Sequence, residues 1–337
     1  MTRLETDFAN RLRWDRRRRG FYEVYYLKWN DRESQTAGWI RYTLTSPKPG
    51  IGDPFCELWA IFFDAREPRH HVAVKNRFPI AFLQNTAEPF LLRLDDAELS
   101  SRHCRGRIND SPEGAAFAWD LTFASPDPPV PLLPHRALYD LTAFPKTKVL
   151  VAHENARLNG RVQVGSRLIE LRDAPGQQTH LWGVKHAQRW AWGHCNAFTE
   201  EPDAVWEGLD AQIRLGPFDP HFTLFYLKAF GREHWFNSFA HLVRNRSAWG
   251  PESWEFSAEN QEVSLSGVIV NRPADIVTVT YMDPDGALLY CHNSKIADLR
   301  LTVTPRRGGE TKTLTATRLC AAEFVDRVIH PGRKVYL

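Results

Sequence analysis

His180, Lys185, His186, Gln188, Arg189, His194, Cys195 and Asn196 fall in one short stretch, beside Trp182, Trp190, Trp192 and Phe198. These residue types suit proton transfer within an apolar pocket. Histidine donates or accepts a proton near neutrality, because its unperturbed pKa is about 6.5. Asparagine orients a hydroxyl or carbonyl, and indole rings supply apolar walls. His194, His186 and Asn196 are therefore candidate catalytic residues, and Trp190, Trp192, Arg189 and Gln188 are candidate substrate contacts. Core packing is the competing reading of tryptophans spaced two apart. Cys195 adjoins His194, but neighbours on a strand face opposite ways, which argues against a Cys–His nucleophile pair.

A strand must position this set. From Arg189 to Asn196 the pattern alternates, with Trp190 and Trp192 on one face and Arg189 and Ala191 on the other. Such a strand can bring its Trp rings and His194 to the mouth of a cavity. Its surroundings read the same way. Phe21–Trp29 is aromatic and β-branched. In Gly38–Leu44, Trp39, Arg41 and Thr43 share one side, and Ile40, Tyr42 and Leu44 share the other. Cys56–Asp64, Val72–Phe78, Phe90–Leu94, Cys104–Ile108 and Ala115–Phe123 follow, with a turn at 110–114. Short strands joined by short turns predict antiparallel sheets rolled into barrels rather than βαβ units.

Residues 125–135 contain five prolines and read as an extended connector. The expected division is an N-terminal arm over 1–20, a first barrel over 21–145 and a second over 146–337. Asn159-Gly160 is a hairpin signal within the second, and Asp283-Pro-Asp-Gly286 reads as a turn. The arm reads as a short amphipathic helix ending at Gly20. Its basic run, Arg16–Arg19, is either a solvated surface or a peripheral contact with an anionic membrane.

Composition narrows the function classes. The chain has 337 residues, 43% of them hydrophobic and 25% charged, and a net charge of +3. That charge is too small to argue for a nucleic-acid partner. No apolar run suits a membrane span or a signal peptide, so a cytoplasmic protein is expected. The five cysteines are widely spaced and the thirteen histidines form no HxH or HExxH pattern, so no metal is expected. No dinucleotide fingerprint or P-loop occurs, and no cofactor is expected. The oligomeric state is not legible.

Trp39-Ile-Arg-Tyr-Thr-Leu44, Glu57-Leu-Trp-Ala-Ile-Phe-Phe-Asp64, Trp119-Asp-Leu-Thr-Phe123, the Pro-rich link and the Trp190-Ala-Trp-Gly-His-Cys-Asn196 run together resemble a known family. It is the tocopherol cyclase and carotenoid 1,2-hydratase (hydroxyneurosporene synthase) superfamily. The resemblance implies a mainly β fold of two tandem lipocalin-like (calycin-type) antiparallel β-barrels with few short helices. It also implies a cofactor-independent cyclase, isomerase or hydratase acting on a hydrophobic isoprenoid or polyketide-like molecule. Such an enzyme must protonate an alkene and shelter a cation, and Trp39 and Trp59 would join Trp190 and Trp192 as aromatic faces. The hydratases tend to carry an acidic residue and a His beside the glycine that opens this stretch. Here Gly183–Arg189 holds His186 but no carboxylate. A non-catalytic carrier of an apolar ligand is the alternative function, because the same cavity serves both.

Overall fold

Alternation along the first strands decides the architecture. In Phe21–Asp31 (β1), Tyr25, Leu27 and Trp29 enter one apolar core, while Tyr22, Val24 and Tyr26 enter another. Thr36–Ser46 (β2) and Phe55–Asp64 (β3) do the same: Ile40, Tyr42, Leu58 and Phe62 face the first core, and Trp39, Trp59, Ile61 and Phe63 the second. All eleven residues of β1 and of β2 are buried. A sheet with one face in water would show an alternation of burial that is absent here.

The protein is described by a computed structural model covering residues 5–109, 114–142, 144–214, 216–330 and 332–337. The chain continues through Val72–Pro79 (β4), Leu83–Ala87 (β5), Phe90–Leu94 (β6), Ala97–Ser100 (β7), His103–Ile108 (β8) and Phe117–Ala124 (β9). Val130–Pro131 (β10), Thr147–Val164 (β11) and Arg167–Gly183 (β12) complete the first sheet, in the order β4-β3-β2-β1-β12-β11-β9-β8-β7-β6-β5 with β10 on β11. The second sheet opens with Arg189–Cys195 (β13), Val205–Gln212 (β14), His221–Ala229 (β15) and Arg232–Phe236 (β16). It closes with Arg246–Gly250 (β17), Ser253–Glu259 (β18), Val263–Val270 (β19), Val277–Met282 (β20), Leu288–Pro305 (β21) and Lys312–Asp326 (β22). Its order is β16-β15-β14-β13-β22-β21-β19-β18-β17, with β20 on β21. Each sheet is antiparallel and curls around its own core, as tandem lipocalin-like barrels do.

The third apolar cluster lies between the barrels. It joins the outward residues of β1–β3 to Trp192, Val277, Val279, Tyr281, Leu289, Cys291, Ala321 and Val325. Each large side chain fully buried there contributes about 1.5–3 kcal/mol.

Four expectations are corrected. The sheets divide between Gly183 and Arg189, not near 145: β11 and β12 pair with β9 and β1 and belong to the first sheet. The Pro-rich run is not the link between barrels. It crosses them as a strap, with Val130 opposite Val151 and the Leu132 carbonyl accepting from Asn237 Nδ2 at 3.0 Å. Asn159-Gly160 makes no hairpin. It sits at an irregularity in β11, where a Cβ on Gly160 would stand 2.1 Å from the Asp120 carbonyl oxygen. The N-terminal helix spans only Thr6–Asn10 (α1) and does not reach Gly20; beyond it Glu23 accepts the backbone N–H groups of Arg13 at 2.7 Å and Trp14 at 2.9 Å. The turn expected at 110–114 lies, except for Gly114, outside the described residues. A second helix, Phe239–Arg244 (α2), starts at a capping box between Ser238 and His241. No helix among the described residues is long and apolar enough to cross a membrane.

Gly38 tests the fit of the first core. It pairs with Trp29 across the β1–β2 ladder, and a Cβ there would lie 2.1 Å from the buried indole. Gly38→Ala is expected to destabilise the protein by about 1–3 kcal/mol. Urea unfolding should show a lower midpoint at an unchanged m-value. An unchanged midpoint would show that the indole can yield.

Candidate functional site: a cavity between the barrels

The outward faces of the two sheets do not close completely. Where they part, the strap and α2 roof a largely apolar cavity of about 410 Å³. Tyr26, Trp39 and Arg41 from β1 and β2 form one wall; Trp190, Trp192 and Leu209 from β13 and β14 form the opposite one. Leu132, Leu138 and Phe144 of the strap cover them, with Phe239 and Leu242 of α2. The site is thus a groove between barrels rather than the mouth of one.

Strand parity explains which candidates reach it. Trp190 and Trp192 point out of the second barrel, whereas Ala191 and Cys195 point into its core. Trp39, His186, Gln188, Trp190 and Trp192 all line the cavity. Trp59 lies outside the lining, edge-on to Tyr281 with centroids 6.0 Å apart. Arg189 has the opposite parity from its neighbours, and its guanidinium stacks 4.0 Å above the Trp249 ring. His194 and Asn196 are wholly buried beyond the cavity wall. His194 Nε2 bonds the Glu154 carbonyl at 2.9 Å, and burial with Lys28 nearby drives its pKa well below 6.5. Asn196 Nδ2 donates to Asn155 Oδ1 at 3.1 Å and to the Gly176 carbonyl at 2.9 Å, which ties the second barrel to the first. Burial pushes the Cys195 thiol up to about 11, so it stays protonated and unreactive.

His186 is held as a proton carrier would be. Its ring lies between Tyr22, stacked at 3.9 Å, and Trp190, at 5.4 Å. Asp283 Oδ1 accepts the His186 backbone N–H at 2.9 Å and ring Nδ1 at 2.7 Å. A carboxylate at Nδ1 fixes the tautomer with the proton there and leaves Nε2 as the lone pair. Nε2 has no protein partner among the described residues. Arg327 completes the set: its NH2 donates to Asp283 Oδ2 at 2.8 Å and its Nε to Gln188 Oε1 at 2.8 Å. Burial lowers the His186 pKa against the pull of Asp283, so the ring is neutral at pH 7. Asp283 thus brings beside His186 a carboxylate that Gly183–Arg189 does not contain. It sits in the stretch whose sequence reads only as a turn.

A buried polar seam backs the aromatic wall. Trp192 Nε1 donates to Glu207 Oε1 at 3.0 Å. Gln177 Nε2 donates to Glu207 Oε2 at 2.6 Å and to Glu154 Oε2 at 2.9 Å, and Tyr26 donates to Gln177 Oε1 at 3.3 Å. Burial, then mutual repulsion, raises the Glu154 pKa far above the carboxylate range. Glu207 is raised by burial against three opposing hydrogen bonds. Both carboxyls are thus pushed toward the neutral form, Glu154 further than Glu207, and Glu154 Oε1 has no partner among the described residues. Apart from the cavity, His292, Asp326 and His330 bring ligand atoms within 4.8 Å of one another. There His330 Nε2 and Asp326 Oδ2 already satisfy each other at 2.6 Å.

The acid limb of stability tests the His186–Asp283–Arg327 set. Burial pushes the Asp283 carboxyl up, but the His186 and Arg327 bonds outweigh it and hold it at about 2, against an ordinary 3.8. Its stabilisation, about 2–3 kcal/mol, is complete above the unfolded value and fades as pH falls through the folded one. Asp283→Asn should therefore lower stability at pH 7 and cost roughly half as much at pH 3. Urea unfolding of both proteins at the two pH values measures this, and an equal cost at both would sink the assignment.

Comparison with known proteins agrees with this architecture. The uncharacterized protein Rv0493c of Mycobacterium tuberculosis is 23% identical over 303 residues, covering 90% of this chain and 87% of its own. An AttH-like protein of Nitrosomonas europaea shares the fold at a TM-score of 0.57 and 14% identity, over 97% of this chain and 98% of that one. Kievitone hydratase of Nectria haematococca shares it at 0.54 and 6% identity, over 96% and 90%. The family model described as tocopherol cyclase-like matches residues 137–324. That span carries β11–β14, His186 and Asp283, and it exceeds half the chain: the protein belongs to the tocopherol cyclase-like family.

Proposed function

We propose that the protein is a cofactor-independent enzyme of the cyclase, isomerase or hydratase type, acting on a hydrophobic small molecule held between the barrels. One observation carries this reading: a neutral histidine in the wall of an apolar cavity, with its Nδ1–H on a buried carboxylate. The family's cyclase name and a hydratase on the same fold support it.

His186 begins as the base rather than as the acid. Nε2 takes a proton from a substrate hydroxyl, an activated C–H or a water molecule. Asp283 stabilises the imidazolium that forms, and the ring returns the proton to carbon once the new bond has formed or the double bond has moved. No net proton is consumed. The indoles of Trp39, Trp190 and Trp192 exclude water from the reacting atoms and pack against the apolar body of the substrate. His194 and Asn196 act at a distance, by joining the barrels.

A panel of prenylated phenols and polyenes, followed by liquid chromatography and mass spectrometry, tests the reading. His186→Ala is expected to cut turnover by about 10²–10⁴-fold. His194→Leu should leave the turnover of folded protein within a few-fold of wild type. The rate should fall on acidification with an apparent pKa below 6.5, as the ring becomes protonated. If every bound compound returns unchanged from the wild type, the protein is a carrier. If His186→Ala turns over normally, the base lies elsewhere.

A further inference from the structure

Arg41 is the anomaly in the cavity wall. It lies in the middle of β2, where parity sends Trp39, Arg41 and Thr43 toward the other barrel. Its side chain lines the cavity, yet the residue is only 5% exposed. Among the described residues, no carboxylate, carbonyl or hydroxyl accepts a hydrogen bond from its guanidinium. Nε is sealed from solvent without a partner. The group is held by ring faces alone: its central carbon lies 4.0 Å from the Tyr281 centroid, 5.5 Å from Trp59 and 5.7 Å from Trp39. Ring contacts of this kind take up none of the guanidinium N–H donors.

The acidic neighbours are engaged elsewhere. Glu323, also in the cavity wall, accepts from Lys295 Nζ at 2.7 Å and from Asn293 at 3.2 Å. Asp283 is taken by His186 and Arg327. Lys185 pairs with Asp285 at 2.7 Å, and Arg214 with Asp219 at 2.9 Å. These pairs cancel, Lys146 of the lining is exposed to solvent, and Arg41 remains as the buried, uncompensated positive charge among the described lining residues. A buried charge without a partner is costly, whereas one that awaits an anion becomes a recognition element once it is filled.

From this we infer that the ligand of the cavity is amphiphilic, an apolar body bearing one anionic oxygen group, a carboxylate or an acidic enol or phenol, that seats on the Arg41 guanidinium. A planar guanidinium meets a carboxylate in two parallel N–H···O bonds and fixes its orientation as well as its charge. Tyr281 and the two indoles pack around the fork. Arg41 and His186 line the same cavity. An anion on Arg41 would thus hold the apolar body in the cavity that Trp190, Trp192 and His186 also line. The inference rests on the cavity being the ligand site, but not on chemistry taking place there.

Farnesoic acid and farnesol test it, since they share an isoprenoid body and differ in the anionic group. Calorimetric titration of the full-length protein at pH 7.5 should give about 10- to 100-fold tighter binding of the acid. Arg41→Met should erase that preference while leaving farnesol affinity within about twofold, which also certifies a folded cavity. Arg41→Lys should keep part of the preference, because charge survives without the fork. If Arg41→Met does not fold, Arg41→Gln takes its place. Equal binding of acid and alcohol by the wild type, failure of the acid to bind, or a preference that survives loss of the cation would overturn the inference. His186→Ala should retain the acid preference unchanged. A protein that prefers the acid but never converts any ligand would therefore end the catalytic reading and leave the anion subsite standing.

Discussion

The structure depends on burying both faces of β1–β3. In an isolated barrel the outer face of such a sheet meets water and can be polar. Here it meets a second barrel, so Tyr22, Tyr26, Trp39, Trp59 and Phe63 occupy positions where solvent would otherwise lie. Any polar group caught in the seam must then find a partner inside the protein. Gln177 does this for one carboxyl from each barrel, Glu154 and Glu207, and Asn196 and Asn30 do it for backbone carbonyls of the opposite barrel. The seam is fastened by hydrogen bonds whose loss would strand buried polar atoms, which fixes how the barrels dock as well as how tightly.

The cavity follows from the same arrangement. Two convex sheets touch along a line and diverge beyond it, and the divergence is roofed by segments outside the main ladders. His186 lies on such a segment, the short link between β12 and β13. Its partner Asp283 comes from the far end of the second barrel in sequence, 97 residues away. The dyad exists only when the barrels are docked and the β20–β21 turn is in place. Its geometry is assembled by tertiary packing rather than encoded locally.

That explains what the sequence could and could not disclose. Parity is legible: β2 and β13 alternate as read, so Trp39, Trp190 and Trp192 reach one cavity, and His186 and Gln188 join them from the link before β13. What parity does not say is whether that face looks into a barrel or out of it. His194 has the same parity as Trp190 and Trp192 yet ends beyond the wall, since the cavity closes before the strand does. The division of the sheets was misread because prolines mark a break in hydrogen bonding, and a strap over a surface breaks it as surely as a linker does. Asp283 was hidden by its setting, an Asp-Pro-Asp-Gly stretch whose residue types already have a sufficient local explanation. Arg41 stood on the correct face, but nothing local distinguishes an arginine with a partner from one without.

The strap has a further consequence. Leu132, Leu133, Pro134, Leu138, Phe144 and Pro145 form much of the cavity's roof, yet among the described residues of this segment only Val130 and Pro131 pair in a sheet. Substitutions there change the shape of the pocket without disturbing a strand register or the seam between barrels. The scaffold thus separates what must be conserved to fold from what can vary to choose a ligand. Across descendants of such a protein, specificity can drift through one proline-rich segment while His186, Asp283 and the paired sheets stay fixed.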